Sequence, residues 1–151
     1  MTFETIHFRA VEVDEASIIC FPAGLPGFEG CRRFAILGHP TAPGLSFVQS
    51  LERAGLCFLA LPVQSIRPGY QLLLTEEDAG LLGTSPGAAL RIGEDVLAFA
   101  ILSLAEGEPP TANLLSPLVI HLPSRRAVQA IRPDQAYGCR EPLVSEELVC
   151  S

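Results

Sequence analysis

Ser46-Phe47-Val48-Gln49-Ser50-Leu51 and Leu56-Cys57-Phe58-Leu59-Ala60-Leu61 are the runs whose reading decides the fold. Each is short and largely apolar, with a turn residue, Gly55, between them. Runs of this length bounded by turn residues read as strands. The same grammar continues on both sides. Thr5-Ile6-His7-Phe8-Arg9 alternates like a half-buried strand, and Val11 and Val13 extend the alternation. Ser17-Ile18-Ile19-Cys20-Phe21 stops at Pro22, and Phe34-Ala35-Ile36-Leu37 follows. Further on come Tyr70-Gln71-Leu72-Leu73-Leu74, residues 96–102, residues 114–122 and residues 127–131. Many short strands separated by Pro and Gly predict an all-β chain, a small antiparallel sandwich or barrel.

One short helix is expected near residues 76–82. Thr75 offers an N-cap, Asp78 stands at the third helical position, and Glu76 and Glu77 suit the positive end of the helix dipole. Gly83 ends it. Pro117 interrupts the run from Leu114 to Leu122 and marks a bulge, an edge or a strand break, because proline cannot donate to a ladder. A single domain over residues 1–143 is expected, with residues 144–151 as an acidic tail lacking periodicity.

Composition excludes several chemistries. The 151 residues include ten basic ones, all Arg, so there is no lysine for a phosphate-binding loop, a Schiff base or a general base. The formal charge of −7 disfavours direct nucleic-acid binding, which depends on basic groups, and favours encounter with a basic protein. The N-terminus has no basic segment followed by an apolar one, so it is not a secretory signal. The longest uncharged stretch, residues 34–51, is interrupted by Pro40 and Pro43 and cannot pass for a membrane helix. Five cysteines with no C-x-x-C pair point to reduced thiols and a cytoplasmic protein, with Cys20, Cys31 and Cys57 expected as small buried hydrophobes.

Gly83-Thr84-Ser85-Pro86-Gly87 matches the nucleophile elbow of a hydrolase, with Asp95 and His121 following in the right order. The oxyanion hole, however, needs the backbone N–H of the residue after the serine, and Pro86 has none. No active site and no cofactor are expected. His7, His39 and His121 lack metal-ligand neighbours at useful spacing. Arg125, Arg126 and Arg132 form a basic cluster read as a solvated strand end or an ion-pairing surface. Glu76, Glu77 and Asp78 are explained by capping or by partner contact. Glu106 and Glu108 flank Gly107 in an exposed loop with no evident structural task.

Two stretches resemble a known family. The first is Ile19-Cys20-Phe21-Pro22-Ala23-Gly24-Leu25-Pro26-Gly27-Phe28-Glu29, followed by Arg33-Phe34. The second is Thr111-Ala112-Asn113-Leu114-Leu115-Ser116-Pro117-Leu118-Val119-Ile120. Both are similar to signatures of the bacterial flagellar assembly factor FliW, and the resemblance spans residues 3–143. Ser116 and His121 depart from the family's usual Ala and Asn.

The resemblance implies a compact, mostly antiparallel, barrel-like β domain and a partner-switching regulator, not an enzyme. It implies binding to the RNA-binding translational repressor CsrA, relief of flagellin mRNA repression, and binding to flagellin, which closes a feedback loop. A flagellin chaperone without a CsrA role is the alternative. Partner contacts are expected at Glu29, Glu76, Glu77, Asp78, Glu106, Glu108 and Asn113, although capping a turn explains Asn113 as well. Phe21, Pro22, Gly24, Pro26, Gly27 and Phe28 form a rigid loop, because proline fixes φ and glycine permits unusual turns. That loop either seals the end of the barrel or meets a partner.

Overall fold

The computed structural model describes residues 2–5, 9–12, 18–39, 41–42, 44–85, 90–104, 107–134 and 136–143. Strands β1 (Thr2–Thr5) and β2 (Arg9–Glu12) form a two-stranded antiparallel sheet with Thr5 opposite Arg9. Thr5 and Arg9, the ends of the alternating run, therefore belong to two strands and not to one, and residues 6–8 lie outside the described residues. The main sheet contains β3 (Ile18–Cys20), β4 (Arg33–Gly38), β5 (Ser46–Ser50), β6 (Cys57–Pro62), β7 (Val96–Ser103), β8 (Thr111–His121), β9 (Arg126–Gln129) and β10 (Glu141–Pro142). Strands β3 to β8 pair consecutively, and β9 bridges β8 back to β3. The result is a closed seven-stranded barrel with β10 attached outside on β8. All its pairings are antiparallel except β3–β9, a single parallel pair between Cys20 and Arg126.

The barrel is filled by alternate side chains. Ile19, Phe34, Val48, Ala60, Phe99, Leu118, Ile120 and Ala127 join one buried cluster. Period-two geometry then sends the intervening residues of β7, namely Ala98, Ala100 and Leu102, to the outer face. That face is covered as well, which is why these strands read as continuous apolar runs and not as clean alternation. The covers are α1 (Val63–Ile66), the segment 67–75, and α2 (Glu76–Leu82).

The run Tyr70–Leu74 is not a strand. Arg67 and Tyr70 close a turn around Pro68-Gly69. Beyond it the backbone lies across the outer face, where Leu72 and Leu74 fill apolar gaps. Tyr70 donates its hydroxyl to the Leu114 carbonyl at 2.7 Å. The Gln71 carbonyl accepts from the Arg132 guanidinium. These bonds replace the ladder that a strand would have used.

Pro117 lies in a bulge. The β7–β8 register passes from Phe99↔Leu118 to Ile101↔Asn113, so residues 114–117 leave the ladder together. Asn113 Oδ1 accepts the Ser116 N–H at 2.9 Å, and the Pro117 carbonyl accepts from Ala130. After the bulge, Glu141 and Pro142 pair with Ala112 and Thr111, and Leu143 is buried. Residues 144–151 lie outside the described residues. Cys31 is buried, but Cys20 is exposed and Cys57 only half-buried, because both follow the outward phase of their strands. Burial still pushes the Cys57 thiol up. These three and Cys139 are free thiols.

Candidate protein-docking groove

The Gly- and Pro-rich loop after β3 is held by its own backbone. Gly24 donates to Phe21, Phe28 to Leu25, Cys31 to Phe28, and Phe21 to Arg32. Gly24 has φ +69°, and a Cβ there would lie 2.5 Å from the Glu29 carbonyl oxygen. Only glycine permits this double constraint of left-handed backbone and close approach. The loop's apolar side plugs the barrel. Phe21 is fully buried and meets Phe34 edge-on at 5.3 Å, and Leu25 is buried beside it. Phe28 is half-buried, with the Arg53 guanidinium 5.6 Å above its ring. The loop's other side faces solvent through Ala23, Pro26 and Glu29.

Helix α2 faces this surface. Thr75 caps it by accepting the Asp78 N–H at 3.1 Å, and Gly83 ends it with φ +80°, as expected from the sequence. Its C-terminal end is held by Ser124, which donates to the Leu82 carbonyl at 3.1 Å. Leu82 is buried against Val96, Val119 and Val128. Glu77, Asp78 and Leu81 are thereby turned toward the loop.

Between them runs a groove of about 380 Å³. The loop contributes Gly24, Leu25, Pro26 and Glu29, the helix Glu77, Asp78 and Leu81, and β9 Val128 and Gln129. Three of the candidate residues, Glu29, Glu77 and Asp78, thus meet in one place despite their separation in the chain. Burial raises the Asp78 carboxyl above its ordinary value, against a Thr75 hydrogen bond that lowers it, and the neighbouring Glu77 charge adds to the rise. Leu81, Val128 and Gln129 belong to the same groove and were not singled out from the sequence.

The other candidates lie elsewhere. Glu76 is exposed in the first turn of α2 and is not part of the groove lining. Glu108 lines a small separate pocket of about 160 Å³ with Ser103, Thr111 and Arg140. Asn113 is engaged within the β8 bulge. Glu106 lies outside the described residues. The basic cluster is split: Arg125 and Arg126 are exposed, whereas Arg132 is buried. Arg132 forks onto Asp134 with contacts of 3.0 and 2.8 Å and lies against the stacked rings of Tyr70 and Tyr137. That fork raises the Arg132 pKa and lowers that of Asp134, and burial raises that of Tyr70. The hydrolase pattern does not assemble into a relay. His121 Nδ1 meets Ser124 Oγ at 2.8 Å, and Asp95 accepts from the Arg91 N–H at 2.7 Å. Among the described residues no group of three His, Cys, Asp or Glu is placed to hold a metal ion, and no helix is long and apolar enough to cross a membrane.

A family model described as FliW protein matches residues 2–143. The chain belongs to the FliW family. Relatives named flagellar assembly factor FliW include one from Chromobacterium violaceum, 36% identical over 141 residues, covering 85% of this chain and 91% of that protein. Another, from Azoarcus sp. (strain BH72), is 33% identical over 142 residues, covering 87% and 90%. A third, from Desulfitobacterium hafniense, is 33% identical over 147 residues, covering 97% and 93%. A crystal structure described as the flagellar assembly factor FliW superposes with a TM-score of 0.79 at 26% identity, covering 97% of this chain and 99% of that one. In this FliW-family barrel the Gly/Pro loop has two sides, one built into the core and one lining the groove.

Proposed function

We propose that the chain is a binding regulator and not an enzyme. It engages a CsrA-type RNA-binding translational repressor in the cytoplasm, relieves repression of flagellin mRNA, and is withdrawn from that task by binding flagellin. Membership of the FliW family supports the flagellar role. The observation that carries the docking reading is the groove where Glu29, Glu77 and Asp78 converge beside Leu25, Leu81 and Val128. A protein that grips RNA carries basic surface, and an acidic groove on a chain of charge −7 is complementary to it. The same acidity keeps the chain off the RNA phosphate backbone. It can therefore act on translation through the repressor alone.

The test is release of RNA. A flagellin mRNA leader bound to the repressor is titrated with this protein. The expected result is loss of bound RNA, weakening as salt rises because the contact is between opposite charges. RNA retained in full at excess protein overturns the reading.

A further inference from the structure

The outer face of the barrel carries a basic arc beside the Gly/Pro loop. Cys20 is exposed, and its register partners are Arg33 on β4 and Arg126 on β9. Cross-strand partners share a face, so both arginines stand on the outside, one on each side of Cys20 and two strand spacings, or about 10 Å, apart. Arg126 reaches toward the end of α2, where a Cβ on Gly83 would lie 3.5 Å from its Nη1. Arg32 and Arg53 extend the arc beyond Arg33. The Glu52 carboxylate gathers that end, accepting the backbone N–H groups of Arg32 and Arg33 at 2.7 and 2.8 Å and lying 3.5 Å from the Arg33 Nε. Arg53, the next residue, holds its guanidinium over the Phe28 ring. All four arginines are exposed. Four of the chain's ten arginines thus meet one of its seventeen acidic residues. Among the described residues Arg32, Arg53 and Arg126 pair with no carboxylate. Clustered like charges repel, and the barrel does not neutralise these. The arc adjoins the acidic groove without joining it. Val128, on the same face of β9 as Arg126, lines the groove, and the loop that turns Glu29 to the groove turns Phe28 to Arg53.

We infer that the basic arc is a docking surface for an acidic segment of a protein partner, distinct from the acidic groove. Carboxylates of that segment meet Arg32, Arg33 and Arg126, whose guanidinium forks accept a carboxylate on two N–H groups at once. The half-buried Phe28 ring beneath Arg53 adds apolar contact at the rim. Charge selects the occupant. A basic partner is repelled here and drawn to Glu29, Glu77 and Asp78, and an acidic one the reverse. A phosphate backbone would have to approach a chain of charge −7 with its acidic groove next to the arc. The chain's own Glu146 and Glu147 do not reach. They follow Leu143, which bonds at the Thr111 end of β8, whereas Arg126 pairs with His121 at the other end. Four residues span about 14 Å at most, against about 30 Å of strand. The inference rests on the two-partner reading above: the repressor is the basic partner, so the arc falls to flagellin.

Calorimetric titrations of the full chain with flagellin and, separately, with the repressor test it, comparing the parent with the paired reversal Arg32→Glu and Arg126→Glu. Flagellin should bind the variant about tenfold more weakly, since two exposed attractions become repulsions. Repressor binding should hold or tighten. Flagellin affinity should fall with rising salt for the parent and fall less for the variant. If the reversed chain does not fold, Arg32→Gln with Arg126→Gln should weaken flagellin binding about threefold and leave the repressor complex unchanged. Flagellin that binds the variant as it binds the parent overturns the inference and leaves the partner reading intact. Equal weakening of both partners overturns it too, because an acidic occupant of the arc would not disturb the groove. Flagellin that does not bind the parent overturns the inference and the two-partner reading together. Binding of the mRNA leader alone to the parent, lost in the variant, overturns the inference in favour of RNA. Self-association of the parent, lost in the variant, overturns it in favour of a second copy.

Discussion

The Arg132 guanidinium carbon lies 4.8 Å from the ring centroid of Tyr137 and 5.6 Å from that of Tyr70. The two rings stack on each other at 4.3 Å, and the same guanidinium bonds to the Gln71 carbonyl and forks onto Asp134. One buried cation therefore ties the segment 67–75 to the segment that follows β9. Replacing Arg132 with Met keeps much of the stem's volume but loses the cation–ring contact and leaves the Gln71 carbonyl unpaired. Arg132→Met should destabilise the fold by about 2–3 kcal/mol. Urea unfolding with the slope held free measures it. Arg132→Lys should recover only part of the loss, because an ammonium cannot fork.

Gly24 and Gly27 provide a matched pair. Both have positive φ, but a Cβ at Gly24 would strike the Glu29 backbone, whereas one at Gly27 meets nothing within 4 Å. Gly27→Ala should cost about 1–2 kcal/mol, the penalty of left-handed backbone alone. Gly24→Ala should cost more, because backbone must move as well. Thermal unfolding of the two variants side by side checks the order.

The pH dependence of stability has two opposed contributions. Asp134 has its pKa lowered by the Arg132 fork, so its contribution is present above the ordinary carboxylate value of about 3.9 and fades as pH falls through the lowered value. Asp78 has its pKa raised by burial, so its contribution is present below that ordinary value and is lost as pH rises through the raised one. Asp78→Asn should therefore compare more favourably with the parent at neutral pH than in acid. Asp134→Asn should do the reverse. Unfolding free energies of both variants across pH 3 to 7, roughly the carboxylate titration range, separate them.

Much of the barrel was legible because its strands announce themselves by length and by the Pro and Gly between them. Helix α2 was legible in full: Thr75, the acidic first turn and Gly83 carry local signals that tertiary packing did not override. The segment 70–74 does not form the expected strand because Leu72 and Leu74 are apolar for the same reason as a strand's residues, burial on a sheet face, while long-range bonds from Tyr70 and Arg132 decide its backbone. Those partners lie 44 and 61 residues away and leave no local trace. Arg132 was misplaced with its neighbours Arg125 and Arg126, since a charged run does not reveal which member turns inward. The groove was half legible. Glu77 and Asp78 stand out together as an acidic helix start and Glu29 apart from them, but their convergence depends on barrel closure, which no spacing in the chain encodes.

The cap of α2 tests whether the groove needs its helix wall in place. Thr75→Ala removes the acceptor for the Asp78 N–H and should cost about 1 kcal/mol. It should also weaken the repressor complex by less than neutralising Glu77 and Asp78 together, since the carboxylates remain. Parallel unfolding and binding measurements on the variants distinguish wall position from wall charge.

The most direct test of the central claim is a calorimetric titration of this protein with the CsrA-type repressor of the same organism, repeated after saturation with flagellin. The account predicts binding in the first titration and its loss in the second. Flagellin binding with no repressor binding would contradict it and leave a flagellin chaperone in its place.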